Sequence, residues 1–370
     1  MQPKMQPLSG LLVLDFTTLL PGPLATLMLA EAGAEVVKIE RPGGEEGRGF
    51  LPRLNGVSAP FAVLNRGKKG IVADLKTEEG RAKAMELAGR ADVLVEQFRP
   101  GVMDRLGFGY EALKKRNPRL IYCSITGYGQ RGARRDEAGH DINYIGATGL
   151  LSLSPGPSDR PTVPPALIAD IGGGTFPAVI NILLALLARE KTGEGSRLDI
   201  AMTDAMFTFA WLALATRWAS GKPIDPGTLR HYGGNPRYQL YATAGGKLVA
   251  CGALEQKFWE TFCAAIGLPE EFADDKRDPQ ATIQAVRTII VGETADHWRP
   301  IFAKADCCVT IVSSIEEALA DPHFRERGLF GREVKMPDGG TFPAIPVPVA
   351  PQFRSGEKAL PFPSVPDEKR

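Results

Sequence analysis

The chain has 370 residues, 44% of them hydrophobic and 24% charged, which is the composition of an ordinary globular protein large enough for two domains. The 44 basic and 43 acidic residues leave a formal net charge of +1, so the overall charge gives no reason to expect nucleic acid or an anionic membrane as a partner. The five cysteines are scattered without a C-x-x-C pair, which predicts reduced core thiols in a cytoplasmic protein rather than a disulfide framework or a zinc site.

The N-terminal part of the chain alternates strand and helix patterns. Short apolar runs bounded by turn residues predict five strands, and Thr77 is placed to cap a helix that Gly89 ends. The predicted strands are Leu11–Phe16, Glu35–Ile39, Gly70–Asp74, Asp92–Glu96 and Leu120–Ser124. Such alternation is typical of an α/β fold with a parallel sheet covered on both faces, whose ligands bind beyond the carboxyl ends of the strands.

The middle of the chain predicts a second, smaller α/β domain. Ser152–Pro165 is rich in proline, glycine and serine and predicts a loop, whereas Ala244-Gly245-Gly246 between two apolar runs predicts a hairpin. Glu255–Ile266 has the pattern of an amphipathic helix. We therefore predict a Rossmann-like large domain at residues 1–200 plus 330–370, a small α/β domain at 228–315, and linkers at 201–227 and 316–329.

Apolar segments in the second half predict buried structure rather than a membrane anchor. Phe176–Ala188 and Phe207–Thr216 are shorter than the roughly 18 residues of a membrane span and predict buried helices. The last 30 residues carry seven prolines, which predicts an extended tail. Such a tail is either disordered or packed across its own core or a partner subunit, and its apolar residues, such as Phe342 and Phe353, favour packing.

The first strand–helix unit lacks the fingerprint of a dinucleotide-binding fold. Glu40 stands at the end of the second predicted strand, where an acid that binds ribose belongs. The preceding turn offers Pro21-Gly22-Pro23 in place of G-x-G-x-x-G, and proline removes backbone donors that a phosphate needs. NAD binding is therefore not expected.

Three residues are candidates for chemistry, each with a structural alternative. His140 is of the type best matched to proton transfer near neutral pH, although a loop histidine is also commonly a satisfied polar group. Asp170 precedes Gly172–Gly174, where small residues at a helix start would let a ligand approach backbone amides that stabilise an oxyanion. Asp170 and Glu255 are equally suited to capping a helix.

Several short motifs follow one another in an order that is more specific than any one of them. They are Val13-Leu14-Asp15-Phe16 with Pro21-Gly22-Pro23, Asn65-Arg66-Gly67-Lys68-Lys69, Ala73-Asp74-Leu75-Lys76 and Phe98-Arg99-Pro100-Gly101-Val102, then Gly139-His140-Asp141-Ile142-Asn143-Tyr144, Asp170 with the three glycines, and Gly252-Ala253-Leu254-Glu255. Over nearly the whole chain they resemble the family III CoA-transferase superfamily. The last three resemble its 2-methylacyl-CoA racemase branch, which commonly has Asp-Phe where this chain has Asp170-Ile171.

The resemblance implies an enzyme that acts on acyl-CoA thioesters, without a cofactor beyond the coenzyme A of its substrate, as an interlocked homodimer. In the racemase branch the histidine and the aspartate are the two acid/base residues and the glutamate holds the histidine, which implies these roles for His140, Asp170 and Glu255. We therefore expect racemisation of 2-methylacyl-CoA through an enolate. In the alternative, a family III CoA-transferase, the aspartate is the nucleophile. A carnitine-type hydratase partner and a non-catalytic CoA-binding protein are further alternatives, and the latter requires His140 and Asp170 to lie apart.

The resemblance also implies a set of residues that bind coenzyme A or the acyl group. Arg41 and Arg99 are expected on the phosphates, because the planar guanidinium can make paired contacts with phosphate oxygens. The other implied residues are Ala73, Asp74, Leu75, Lys76, Ala91, Asp92, Val93, Gly139, Asp141, Ile142, Asn143 and Tyr144. No metal ion, nucleic acid or membrane is expected at this site.

Overall fold

A computed structural model describes residues 6–154 and 156–363, and the chain divides into two compact units. The larger unit comprises the chain up to Thr148, Pro164–Phe209 and the chain from Pro322 onwards. The smaller unit comprises Gly149–Val163 and Ala210–Asp321. The division differs from the predicted one, because both predicted linkers and most of the predicted loop at Ser152–Pro165 belong to one unit or the other.

A shared apolar core explains why the smaller unit begins earlier than predicted. Four buried residues bring the segments before Val163 and after Ala210 together, with further apolar side chains packed against them. The buried four are Leu153, Ala210, Ala213 and Leu229, and the flanking side chains are Leu150, Leu214, Ile224 and Tyr232. Residues of the predicted loop and of the predicted linker 201–227 therefore contribute to a hydrophobic core.

Six parallel strands form the main sheet of the larger unit, as predicted for a Rossmann-like fold. Strands β1–β8 are Leu12–Phe16, Glu35–Glu40, Arg53–Leu54, Val57–Ser58, Lys69–Val72, Val93–Glu96, Ile121–Thr126 and Arg197–Ala201. Their order in the sheet is β5-β2-β1-β6-β7-β8, while β3 and β4 form a separate two-stranded ribbon. The strand order reverses between β1 and β6, and this reversal marks the place where such sheets bind ligands.

The helices of the larger unit follow from local sequence signals. Helices α1–α8 are Pro21–Glu31, Ala59–Asn65, Glu78–Arg90, Val102–Arg105, Tyr110–Arg116, Asp141–Ala147, Phe176–Thr192 and Asp204–Phe209. Prolines in the first turn of α1 cost nothing there, since the first amides of a helix have no intrahelical partner. Thr77 caps α3 by accepting the Gly80 amide hydrogen at 3.1 Å. The predicted stop at Gly89 is wrong, because α3 runs through it to Arg90.

The smaller unit packs helices against a three-stranded antiparallel sheet. Strands β9–β11 are Gln239–Ala242, Leu248–Cys251 and Val309–Ile311, in the order β11-β10-β9, and the predicted hairpin is confirmed as β9–β10. Helices α9–α13 are Trp211–Ser220, Gln256–Ile266, Pro279–Val291, Ala295–Ala305 and Ile315–Ala320. All five cysteines of the chain are free thiols, and four are buried as predicted, whereas Cys308 is exposed.

The proline-rich C-terminal segment packs on the larger unit. After the short helix α14 (Pro322–Glu326), strands β12–β14, which are Glu333–Lys335, Thr341–Pro343 and Ala359–Pro361, form a small sheet. The ring of Phe362 lies 5.5 Å from that of Phe61 on α2, and Val334 is fully buried. Of the predicted alternatives, packing across the chain's own core is therefore correct for the described part of the tail, although Phe353 stays exposed.

Two apolar segments that were predicted to be buried leave much of their surface exposed. On α7, Ile180 is 55% exposed and Leu187 is 65% exposed, and on α9 Trp211 is 63% exposed. The continuous helical stretch Ala169–Thr192 also has the length and composition of a membrane span, with mean hydropathy 1.9 and 44% of its most apolar window buried. The expectation that the apolar segments are too short to span a membrane is therefore wrong for this helix by its length and composition. The core helices of globular proteins can meet the same criterion of length and hydropathy.

Candidate active site

A cavity of about 500 Å³ lies where β1, β6, β7 and β8 end, at the reversal of strand order. Its walls come from loops that follow these strands and from the start of α6. The lining residues are Leu19, Pro21, Gln97, Phe98, Arg99, Pro100, Ile125, Thr126, Gly127, Tyr128, Arg135, Glu137, Ala138, Gly139, His140, Asn143, Tyr144, Asp170 and Met202. His140 and Asp170 are thus brought to one cavity, as a catalytic interpretation requires.

His140 is held by its position as the N-cap residue of α6. Its amide hydrogen is donated to Oδ1 of Asn143 at 3.0 Å, and its carbonyl oxygen accepts the Asn143 amide hydrogen at 2.9 Å. The Tyr144 hydroxyl donates to the carbonyl of Gly139. A side chain at residue 139 would place its Cβ 2.7 Å from the Tyr144 ring, which explains the glycine. The histidine backbone is therefore fixed while its exposed side chain faces the cavity.

Asp170 lies in a π-helical turn, Ala169–Thr175, that leads directly into α7. Its amide hydrogen is donated to Oδ1 of Asp141, the first residue of α6, at 2.9 Å, and Asp141 is only 4% exposed. The pKa of Asp170 is raised from 3.8 to about 6, first by burial and then by the negative charge of Asp141, while His140 acts in the opposite direction. Asp170 can therefore hold or release a proton close to neutral pH.

The three glycines after Asp170 serve close packing rather than ligand approach. An added Cβ would lie 2.7 Å from the Phe209 ring at Gly172, 2.2 Å from the Met202 carbonyl oxygen at Gly173, and 3.0 Å from Pro21 at Gly174. None of the three is among the described residues that line the cavity. The prediction that their amides face a ligand therefore finds no support, and the glycines allow the π-helical turn to pack closely against its neighbours.

A second cavity of about 330 Å³ lies at the ends of β2 and β5. It is lined by Arg41 and by the segment Ala73, Asp74, Leu75 and Lys76, so the structure brings these predicted CoA-binding residues together. The Arg41 guanidinium is exposed, 3.6 Å from the Glu46 carboxylate. Phe98 lines both cavities and forms the wall that they share.

Other predicted site residues lie elsewhere. Ala91, Asp92 and Val93 are at the amino end of β6, opposite the cavities, and Asp92 accepts hydrogen bonds from the Leu12 amide at 2.9 Å and from Arg189 at 3.0 Å. Their prediction as CoA contacts is therefore not supported, because the amino ends of parallel strands lie at the far edge of the sheet.

Glu255 and Ile142 also lie outside the lining of the described cavities that hold His140 and Arg41. Glu255 is an exposed residue of the smaller unit that occupies the N-cap position of α10 without a capping hydrogen bond from its side chain, and its role stays a prediction. Ile142 is 43% exposed in the first turn of α6. Asp141, although predicted to bind substrate, turns its carboxylate to the Asp170 amide.

Buried ion pairs account for two other motifs. Both oxygens of the Glu40 carboxylate accept from Arg48 at 2.6 Å, and Glu40 is 2% exposed, so it is not available to a ribose. In the motif 65–69, Arg66 pairs with Glu31 at 2.9 Å and Lys68 with Asp15 at 2.9 Å, all four side chains fully buried. That motif therefore supports the fold instead of contacting coenzyme A.

The buried lysines fix the turn that forms one wall of the first cavity. Lys38 donates to the carbonyl of Thr17 at 2.7 Å, and Lys68 donates to that of Pro23 at 2.9 Å. Burial opposes the charge on Asp15, but Lys38 and Lys68 outweigh it and hold the pKa of Asp15 well below its ordinary range. The Asp15 carboxylate therefore helps to keep both lysines in place beneath the turn.

Sequence reasoning missed several residues of the first cavity. Gln97 accepts the Gly22 amide hydrogen at 3.1 Å and so joins the loop after β6 to the start of α1. Tyr128 packs edge-on against Tyr144 at 5.4 Å, and Arg135 also lines the cavity. A position just beyond the carboxyl end of a predicted strand is the signal that marks the segment holding Tyr128, and the same signal could have found Gln97.

Comparison with known proteins places this fold, a Rossmann-like sheet with a cavity at its switch point, in a known family. The profile of CoA-transferase family III matches residues 8–367, and the chain belongs to that family of enzymes. It is 35% identical to alpha-methylacyl-CoA racemase of Homo sapiens, over 87% of this chain and 82% of that protein. It is 36% identical to acetyl-CoA:oxalate CoA-transferase of Acetobacter aceti, over 96% and 93%. A crystal structure of a CaiB/BaiF family protein from Brucella suis superposes with TM-score 0.77 at 31% identity, covering 97% of this chain and 95% of the other.

Proposed function

We propose that the protein racemises 2-methylacyl-CoA thioesters by 1,1-proton transfer, with His140 and Asp170 as the two acid/base groups. The observation that carries this proposal is their convergence on one cavity at the switch point of the sheet. Racemisation removes the proton from carbon 2 and returns one to the opposite face, so two such groups are required. A transferase needs only the aspartate.

The chemistry follows from the protonation of the pair. In one direction neutral His140 removes the carbon 2 proton to give an enolate, and the protonated Asp170 carboxyl supplies a proton to the other face. In the reverse direction the roles exchange, so the active form carries one proton shared between the two residues. A pKa of about 6 for Asp170 supports this exchange, because the carboxyl group is then close to the range in which free imidazole titrates.

Side chains around the pair are suited to an acyl-CoA thioester. Arg99 is exposed in the cavity wall and carries the positive charge expected for binding phosphate. Asn143 presents its NH₂ group as a candidate donor to the thioester oxygen, because its carboxamide oxygen already accepts from His140. Coenzyme A would extend from there past Phe98 to the second cavity, where Arg41 and Ala73–Lys76 would hold the nucleotide.

CoA transfer is the second candidate function, and the similar identity to an oxalate CoA-transferase favours it. Asp170 would attack the thioester to form a mixed anhydride and release CoA thiolate. The thiolate would attack the aspartyl carbonyl of the anhydride, giving an aspartyl-CoA thioester and the free donor acid. The acceptor acid would then reverse these steps. His140 has no necessary part in this sequence.

We further propose a cytoplasmic homodimer that needs no cofactor beyond the coenzyme A of its substrate. The exposed apolar face of α7, which includes Ile180, Leu183, Leu184 and Leu187, supports a subunit interface because monomeric proteins rarely expose such a contiguous patch. Size-exclusion chromatography with light scattering, without detergent, tests the dimer. A soluble monomer, or a protein that needs detergent, would contradict it.

The reaction is tested with (2S)-2-methyloctanoyl-CoA in deuterium oxide and no acceptor acid. Deuterium entry at carbon 2, with loss of optical purity, is expected for the wild type and is expected to be lost in His140→Ala. His297→Ala, at an exposed histidine of the smaller unit, is the matched control. Absence of exchange, together with CoA transfer to added oxalate or glutarate and a hydroxamate at Asp170 after hydroxylamine treatment, would identify a transferase.

A further inference from the structure

Asp141 connects the two elements that carry the proposed acid/base pair. Its backbone opens α6 directly after His140, while its carboxylate accepts the amide hydrogen of Asp170 at 2.9 Å. The side chain crosses from one element to another that lies 29 residues further along the chain. Within the described part of the chain, no other side chain forms a hydrogen bond with the Asp170 backbone.

The environment of this contact makes it stronger than a surface hydrogen bond. Asp141 is 4% exposed, and a hydrogen bond from an amide to a charged acceptor is shorter and stronger than one between neutral groups. A buried carboxylate placed beside a second carboxyl group also destabilises the ionised form of its neighbour. One side chain therefore acts on Asp170 both through geometry and through charge.

We propose that Asp141 is a positioning residue of the His140–Asp170 pair, since its carboxylate fixes the Asp170 backbone relative to the start of α6 and places a negative charge beside Asp170. This proposal rests on the proposed acid/base role of the pair. It gives Asp141 a role distinct from substrate contact, in agreement with its absence from the described lining of the cavity.

The other charged groups around Asp170 do not reproduce this effect. The π-helical turn packs against α1, α6, α7, α8 and β8. Besides Asp141, the titratable or charged groups of these elements and of the loop after β6 are His140 and Tyr144 at α6, Asp204 on α8, Arg197 and Asp199 on β8, Glu31 on α1, Arg189, Glu190 and Lys191 in the last turn of α7, and Arg99. Among them, His140 acts on the pKa of Asp170, and it lowers that pKa. Asp170 in turn raises the pKa of Tyr144, after burial has done so, to about 12. Among these charged groups, Asp141 is thus the one that adds to burial in favouring the neutral form of Asp170.

Two substitutions separate the geometric from the electrostatic effect. Asp141→Asn keeps an oxygen that can accept the Asp170 amide hydrogen but removes the charge, whereas Asp141→Ala removes both. Asp204→Asn is the matched control, because Asp204 stands on α8, which packs against the same π-helical turn, without a bond to the Asp170 amide. The asparagine variant also guards against misfolding of the alanine variant, because it preserves shape.

The first readout does not depend on activity. NMR of ¹³C-carboxyl-labelled protein, with the Asp170 signal assigned through Asp170→Asn, should show the Asp170 midpoint falling by at least about 0.5 pH unit in Asp141→Asn and staying unchanged in Asp204→Asn. Exchange of the Asp170 amide hydrogen should accelerate at least about tenfold in Asp141→Ala and little in Asp141→Asn. An unchanged midpoint in Asp141→Asn, or unchanged amide exchange in Asp141→Ala, overturns the proposal.

The second readout is carbon 2 exchange of (2S)-2-methyloctanoyl-CoA as a function of pH. Asp141→Asn should move the acidic limb of the profile to lower pH, and Asp141→Ala should lower kcat at least about tenfold with KM within twofold. A wild-type pH profile in Asp141→Asn overturns the proposal. If the wild-type protein neither exchanges carbon 2 nor transfers CoA, the proposed function fails, whereas the NMR titration still decides the role of Asp141.

Discussion

Asp170 should make the folded protein less stable at neutral pH, and its replacement by asparagine should reveal the cost. Burial raises the pKa of Asp170 from 3.8 to about 6, so above pH 6 the folded state holds a carboxylate that would be better solvated in the unfolded chain. A shift of about two units corresponds to about 3 kcal/mol at 1.36 kcal/mol per unit. Because Asp170 is partly exposed to solvent, we expect about half of that, roughly 1.5 kcal/mol.

The sign of the pH dependence follows from proton binding. Between about pH 4 and pH 6 the folded state binds more protons at Asp170 than the unfolded state, so stability falls as pH rises through this window. Asp170→Asn removes the cost. It should therefore match the wild type at pH 4 and exceed it at pH 8 by roughly 3–6 °C in Tm, while abolishing activity.

Calorimetry at pH 4, 6 and 8 measures this difference. Asp136→Asn, at a carboxylate that is 73% exposed in the same unit, is the matched control and should leave Tm unchanged. Equal Tm values for the wild type and Asp170→Asn at pH 8, or a gain at pH 4 as large as that at pH 8, would refute the reasoning. If the two units unfold in separate transitions, the one that shifts should be the transition of the larger unit, which contains Asp170.

Three further substitutions test other parts of the larger unit. Gly173→Ala should destabilise the protein by about 3 kcal/mol in denaturant unfolding, because the added Cβ would lie 2.2 Å from the rigid carbonyl oxygen of Met202, and an unchanged midpoint would contradict this. Arg48→Met should cost about 3–5 kcal/mol, because it leaves the buried Glu40 carboxylate without its partner; a loss below about 1 kcal/mol would show that Glu40 is solvated. Burial raises the pKa of Glu96 to about 7, so Glu96→Gln should gain about 2–3 kcal/mol at pH 8 and almost none at pH 4, and a pH-independent gain would contradict that sign.

The central strands could be predicted from the sequence because they are buried on both faces. A strand such as β7 reads as a continuous apolar run, and its residues are indeed all buried. Strand β8 was missed because it lies at the edge of the sheet and begins with the half-exposed sequence Arg197-Leu198-Asp199. Its pattern alone resembles that of a polar connection.

That His140 and Asp170 belong to one site could be predicted because their motifs are local, whereas the roles of the residues around them depend on contacts that are not local. The glycines after Asp170 looked like a ligand cradle, and only the fold shows that the carbonyl of Met202 and the ring of Phe209 occupy the space beside them. Similarly, the motif that contains Lys68 was noted only as a resemblance, and only the fold shows that this lysine is buried against Asp15, far away in sequence. Contacts of long sequence separation decide such roles, and a single sequence does not specify them.

The two sides of the first cavity differ in their freedom to move. One side is the turn after β1, which is held by hydrogen bonds from two buried lysines and by those of Gln97 and Thr175. The other is the charged segment 131–138, every residue of which is exposed. We therefore expect an unusually wide ligand to be accommodated by displacement of that outer segment, while the turn after β1 stays in place. On the proposed function, changes in acyl preference should accordingly arise from mutations in residues 131–138, while substitutions in the inner turn should affect all acyl groups alike.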